Sequence, residues 1–387
     1  MAISKLPLGY CTNVHPGRTV AEVLGGLDRF TVPVMKNLGR PVAAGLWLAR
    51  PVVDELLAAP DGAAAFAAEL ASRNLSCHTL NAFPYGDFHA ARVKENVYLP
   101  DWSQPERLTY TCECAAILAA LLPENTEGSI STLPLGFKGF EQPSGFLDSC
   151  IWNLIECANW LDRVRIETGR TVRLAIEPEP FCRLETTAEA VAFFEKLWQA
   201  AGANERRVRE HLGICYDVCH QAVEFEDVAE SVRILDRAGV RINKVQISCA
   251  IQLDRPAANR DGIAALRRYV EPRYLHQTFA RSIDGKLARV VDLSEQLLDS
   301  PPVEFSDAEC WRVHFHVPVD ADKLGPLGTT KPAVAQALAA IANLDYAPHL
   351  EVETYTWEVL PGAEQLDLTV GLARELRAAD TLISALK

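Results

Sequence analysis

The sequence predicts a (β/α)8 TIM barrel, an α/β fold with insertions over the C-terminal face of the barrel. Short β-branched runs alternate with amphipathic helical stretches along the 387 residues, as expected of a parallel sheet covered by helices. Eight or nine such units can be traced, which favours a closed barrel over an open doubly wound sheet. No GxGxxG follows the first strand, so a dinucleotide-binding fold has no support.

In order, the strand candidates are 7–12, 43–49, 76–83, 129–135, 172–177, 213–218, 243–248, 311–317 and 349–354. Several are almost continuously apolar, as strands buried on both faces are. Between them, 61–72 is Ala-rich with Asp61 placed to cap it, and 105–122 opens on Pro105, which suits a first helical turn. Residues 144–168 carry Leu, Ile and Trp at helical spacing. Residues 186–201 open on Thr186 with Glu189 three residues on, a capping box. Residues 226–238 stop at Gly239, a C-terminal cap. Residues 330–343 and 364–386 complete the helices. A plain barrel needs about 250 residues. The excess is therefore expected in insertions within one domain spanning 1–387: chiefly 250–310, read as helices and loops over the mouth before the VHFHV strand, and the aromatic, polar stretch 84–104.

Composition narrows the function. No apolar run reaches the ~20 residues of a membrane helix, and the N-terminus lacks the apolar stretch of a secretory signal. A formal net charge of −13 argues against nucleic acid, because phosphate binding needs a cationic surface. The partner expected is a small-molecule substrate; oligomeric state is not legible. The eleven cysteines are scattered, odd in number and form no CxxC pair. They read as small buried hydrophobes in a reducing cytoplasm.

Barrels carry their chemistry at the C-terminal ends of strands, and four late runs end in acids or imidazoles. LAIEPEP supplies Glu177 and Glu179, with Pro178 and Pro180 stiffening the turn; CYDVCH supplies Asp217 and His220. HLEVET carries Glu351 and Glu353 on one face, VHFHV carries His314 and His316 on one face, and VQIS offers Gln246 and Ser248. Each piece alone has an ordinary reading: a strand-end Glu is commonly a solvated loop acid, and DxxH suits a helix cap. Together they compose a site for a hard-to-borderline divalent cation. Without a cation or shared proton, such crowded carboxylates would repel at high cost. LGPLGTT (324–330) can meet a phosphate through backbone N–H groups or be a plain loop before a helix.

These motifs, in this order, resemble the xylose isomerase-like TIM barrels, which include sugar isomerases and epimerases and the endonuclease IV type of phosphodiesterase. GYCTNVHPG, LAIEPEP and LEVETYTW look closest to the metabolite traffic protein EboE branch. The resemblance implies one divalent metal (Mn, Mg, Zn or Co) held by Glu177, Asp217, a seventh-strand residue and Glu353. Relatives usually place His at the seventh strand where this chain has Gln246, so either Gln246 or His316 completes the shell. It also implies Glu177 and Glu353 as an acid/base pair. His220 and Glu179 are then on substrate, with Asn81, His78, Trp357, Trp47, Phe83 and Tyr355 as candidate pocket walls. Three functions follow: a metal-dependent isomerase or epimerase of a small sugar-like or polyol substrate, an EboE-type binding or traffic protein without turnover, or an endonuclease IV-like phosphodiesterase. The last is disfavoured by the acidic balance and by Asn81 standing where a third-strand His is expected.

Overall fold

The computed structural model describes residues 3–386. Fourteen strands occur among them: β1 (Gly9–Cys11), β2 (Ala43–Trp47), β3 (Thr79–Asn81), β4 (Gly128–Thr132), β5 (Val172–Ile176), β6 (Leu212–Asp217), β7 (Ile242–Ile247), β8 (Cys249–Asp254), β9 (Thr278–Arg281), β10 (Leu287–Val290), β11 (Cys310–Val317), β12 (Lys323–Leu324), β13 (Leu327–Thr329) and β14 (His349–Val352). Eight of them close a parallel barrel in the order β1-β14-β7-β6-β5-β4-β3-β2, and helices cover it. The (β/α)8 expectation holds. The barrel strands are buried almost throughout, which is why their sequences read as apolar runs rather than alternations.

The helix signals also act as read. Thr186 and Glu189 form a reciprocal capping box at Thr187–Ala201, and Gly239 ends Val228–Arg237 with φ +74°. Asp61 makes no side-chain bond to the helix Gly62–Ser72.

The region after β7 differs from the expectation. Instead of helices and loops followed by a barrel-like strand, Cys249 to Thr329 builds a six-stranded antiparallel sheet, β10-β9-β11-β8-β13-β12. Only Ser248 separates β7 from β8, so the chain runs from the barrel straight into this sheet. The run 311–317 lies in β11, paired with β8 and β9, not with the barrel. Its period-two alternation sets Trp311, Val313 and Phe315 on one face and Arg312, His314 and His316 on the other. LGPLGTT forms the β12–β13 hairpin.

Inside the barrel, Lys244 and Glu351 form a fully buried ion pair of 2.7 Å. Lys244 Nζ also reaches Ser131 Oγ at 3.2 Å. Glu351 fits only because β2 has a glycine beside it: a Cβ on Gly45 would lie 1.4 Å from Glu351 Oε1.

Candidate metal centre and pocket

Three strand ends bring three acids together. Glu177 follows β5, Asp217 is the last residue of β6 and Glu353 follows β14. Their carboxylate oxygens lie within 4.8 Å of one another, and all three residues are buried. Asp217 also caps the helix Val218–Val223: its Oδ1 accepts from the His220 N–H at 2.9 Å and the Ser248 hydroxyl at 2.8 Å. That fixes the carboxylate and leaves Oδ2 without a partner. Glu353 Oε1 accepts from the side-chain amides of Asn13 and Asn81, each at 2.9 Å. Burial, then the negative charge of Glu353 and Asp217, pushes the Glu177 carboxyl well above the usual carboxylate range. Burial, then Asp217, lifts Glu353 to about 8.

The inserted sheet adds imidazoles. His316 Nδ1 donates to the Glu353 carbonyl at 2.9 Å. Its neutral ring therefore keeps the lone pair on Nε2, which lies 3.9 Å from Asp217 Oδ2. His220 Nδ1 donates to the Pro178 carbonyl at 3.0 Å. His314 Nδ1 faces Gln277 Oε1 at 2.7 Å. The Gln277 amide nitrogen donates to Tyr98 Oη and the Pro180 carbonyl, which sets that orientation. The two Nε2 atoms thus face each other at 3.1 Å, a contact that needs a proton or a cation between them.

These groups fit a divalent cation. Glu177 Oε2, Asp217 Oδ2, His316 Nε2 and both side-chain polar atoms of Gln246 are buried without hydrogen-bond partners. Buried polar atoms are ordinarily paired, and here all the orphans but the Gln246 amide nitrogen are lone-pair donors at one end of one barrel. Carboxylates with an imidazole or an amide oxygen suit Mg, Mn, Zn or Co. Another acid–His group, Asp162, Glu210 and His211, is different: Asp162 already binds Arg165 and Arg207.

Above the acids lies a small, partly open pocket with a cavity volume of about 60 Å³, well below the range usual for drug-sized ligands. Glu177, Glu353, Glu179, His220, Asn81, Phe83 and Tyr355 all reach it. Glu179 accepts from the Tyr98 hydroxyl at 2.7 Å. Gln246 and His316 sit deeper, beside Asp217: Gln246 by strand register, His316 by the contact above. Three sequence candidates lie elsewhere. His78 precedes β3, at the opposite end of the barrel, where its ring packs 5.0 Å from His349. Trp357 turns away to donate to Glu375 at 2.8 Å and packs on Gly371. Trp47 donates to the Pro84 carbonyl at 3.0 Å. Each belongs to structural packing, not to the pocket. The sequence reading missed Asn13, which follows β1 as a strand-end position should. It also missed Tyr98, Tyr274 and Gln277, which sit in insertions without a motif.

The fold and this cluster define a TIM barrel with a carboxylate-rich candidate metal centre at its C-terminal mouth. No protein-family model matches the chain, and no curated protein matches its sequence. Solved structures do match the fold. A xylose isomerase-like TIM barrel protein from Mycobacterium smegmatis in complex with magnesium aligns over 99% of this chain and 98% of its own, with TM-score 0.50 and 12% identity. The IolI protein with a bound zinc atom aligns over 99% of both chains, with TM-score 0.51 and 10% identity. The Escherichia coli 3-keto-D-glucoside 4-epimerase YcjR covers 62% of this chain and 78% of its own, at TM-score 0.39 and 15% identity. One of these neighbours is thus itself a xylose isomerase-like TIM barrel protein, and the likeness is one of fold. Among the described residues, no helix is long and apolar enough to cross a membrane.

Proposed function

We propose that the protein is a divalent-metal-dependent isomerase or epimerase that moves a proton at the carbon beside the carbonyl of a small hydroxy ketone, a head group that sugars and polyol-derived ketones carry. The observation that carries this reading is the convergence of Glu177, Asp217 and Glu353 beneath a partly open pocket, with Glu177 Oε2 and Asp217 Oδ2 buried and unpartnered. Glu177, Asp217 and Glu353 would hold the cation, with His316 or Gln246 completing the set. Such a cation supplies Lewis acidity to the carbonyl oxygen and so acidifies the neighbouring C–H.

Glu177 takes the proton from carbon, and the electron pair of the C–H bond moves toward the carbonyl oxygen. Glu353, held by Asn13 and Asn81, returns a proton to the opposite side of the carbon. Glu179 accepts from a substrate hydroxyl through the oxygen that Tyr98 leaves free, and His220 lines the wall beside it. The test is exchange of a substrate C–H proton with solvent deuterium, screened across ketoses and inositols with manganese-loaded protein. Exchange that disappears in Glu177→Gln supports the reading; turnover that survives Glu177→Gln removes that residue as the base.

A second reading, metabolite binding of the EboE traffic type without turnover, is favoured by Gln246. An amide oxygen is a weaker ligand than imidazole, and a weakened shell suits holding rather than reacting. Saturable binding with no exchange supports it. In either role the eleven free, buried cysteines suit a reducing cytoplasm.

A further inference from the structure

The wall of the pocket away from the acids is aromatic and aliphatic. Phe88, Tyr274 and Tyr355 form a three-ring cluster with centroids 5.0 to 5.4 Å apart. Phe83 and Tyr98, with centroids 6.0 Å from each other, line the same pocket, as does Val97.

Most polar atoms of that wall are already engaged. The Tyr98 hydroxyl donates to Glu179, and the Tyr274 hydroxyl donates to the Phe88 carbonyl at 3.2 Å. The N–H groups of Asn13 and Asn81 donate to Glu353, which leaves Asn13 Oδ1 buried without a partner. His220 and His314 face each other. Only the Tyr355 hydroxyl, among the aromatic residues of this wall, has no hydrogen bond among the described residues.

The one basic side chain on the lining, Lys94, is likewise engaged. Its ammonium donates to the Glu271 carbonyl at 3.1 Å, the Tyr274 carbonyl at 2.6 Å and Asp292 at 2.7 Å. An ammonium has three donors, so none is left for a phosphate. The floor is acidic: with Glu177, Asp217 and Glu353 as carboxylates around one divalent cation, the cluster keeps a net negative charge.

Resting on the isomerase or epimerase reading, we infer that the substrate is an uncharged α-hydroxy ketone whose non-reacting body is an apolar ring, not a polyol chain or a phosphate ester. Two vicinal oxygens meet the acidic floor, and the ring lies against the aromatic wall. A polyol body would carry more hydroxyls than the Tyr355 hydroxyl and Asn13 Oδ1 can pair, and each one buried without a partner loses about tenfold in affinity. A phosphate would meet carboxylates and no free cation.

The test titrates 2-hydroxyacetophenone, D-xylulose and dihydroxyacetone phosphate into magnesium-loaded protein. Dissociation constants come from ligand-observed NMR, and C–H exchange into D2O is read in the same samples. The aryl ketone is expected to bind at least about tenfold more tightly than either other ligand. Binding of the ketose or the phosphate ester as tightly as the aryl ketone overturns the inference. So does absence of saturable aryl-ketone binding. The exchange signal separates the two claims: an aryl ketone that binds without exchange sinks the isomerase and leaves the pocket's preference standing. Xylulose that exchanges while the aryl ketone does not bind does the reverse.

Discussion

His316 aims Nε2 at Asp217 Oδ2 across 3.9 Å, and neither atom has a hydrogen-bond partner. One residue comes from the inserted antiparallel sheet, the other from the end of a barrel strand. Two buried lone pairs so placed repel unless a proton or cation lies between them. The insertion therefore does more than roof the pocket: it contributes a donor to the same cluster as the barrel acids.

The contest between His316 and Gln246 can be settled by titration. If His316 is a ligand, His316→Ala weakens manganese binding by about 10–100-fold, while Gln246→Ala changes it several-fold less. Isothermal titration calorimetry of both variants measures this. The reverse order assigns the position to Gln246.

Asn13 and Asn81 both donate to Glu353 Oε1, which favours the carboxylate over the carboxylic acid. Asn81→Ala is expected to weaken metal binding by about 10-fold or more, as loss of a partner supporting a ligand does. The effect should be larger at pH 6 than at pH 8.5, where fewer protons compete. Manganese titrations at the two pH values check it.

Without metal, burial and neighbouring acids raise Glu353 to about 8 and Glu177 in the same direction. An unfolded Glu titrates near about 4.3, so between these values the folded state binds more protons than the unfolded state. This contribution to stability is fully present below the unfolded value and is lost as pH rises through about 8. Metal must displace the same protons. Manganese should therefore raise the Tm more at pH 8.5 than at pH 6, and EDTA should reverse that gain. Thermal melts at both pH values, with and without the ion, test it. An equal gain at the two values counts against protonated ligands.

Lys244 and Glu351 lie one layer below the site and are wholly buried. Lys244→Met leaves Glu351 without its partner and should cost about 3–5 kcal/mol, whereas Lys244→Met combined with Glu351→Gln should recover part of that loss. Denaturant unfolding of the single and double variants measures the difference.

The barrel was legible because its strands are buried on both faces, so eight short apolar runs stand out at regular intervals. Glu177, Asp217 and Glu353 were legible for a related reason: a strand end in a barrel is a place as well as a sequence position. The inserted sheet was not. β8 follows β7 with one residue between them and β9 and β10 are four residues each, so neither gives a separate signal. His314 and His316 were placed on one face correctly, but their strand was not seen as part of a second sheet. Its partners, β8 and β9, are distant in sequence. His78 was misplaced because it sits at the start of its strand run, and only its position relative to the strand direction separates floor from mouth. Trp357 was misplaced because the partner that turns it away, Glu375, lies on the C-terminal helix Leu368–Ser384.

The central claim is that Glu177, Asp217 and Glu353 tolerate one another because a cation sits among them. An anomalous difference map from crystals soaked in manganese tests it most directly. The predicted result is a single strong peak about 2.0–2.4 Å from an oxygen of each of the three carboxylates. A map with no peak there, while the three side chains keep their positions, contradicts it.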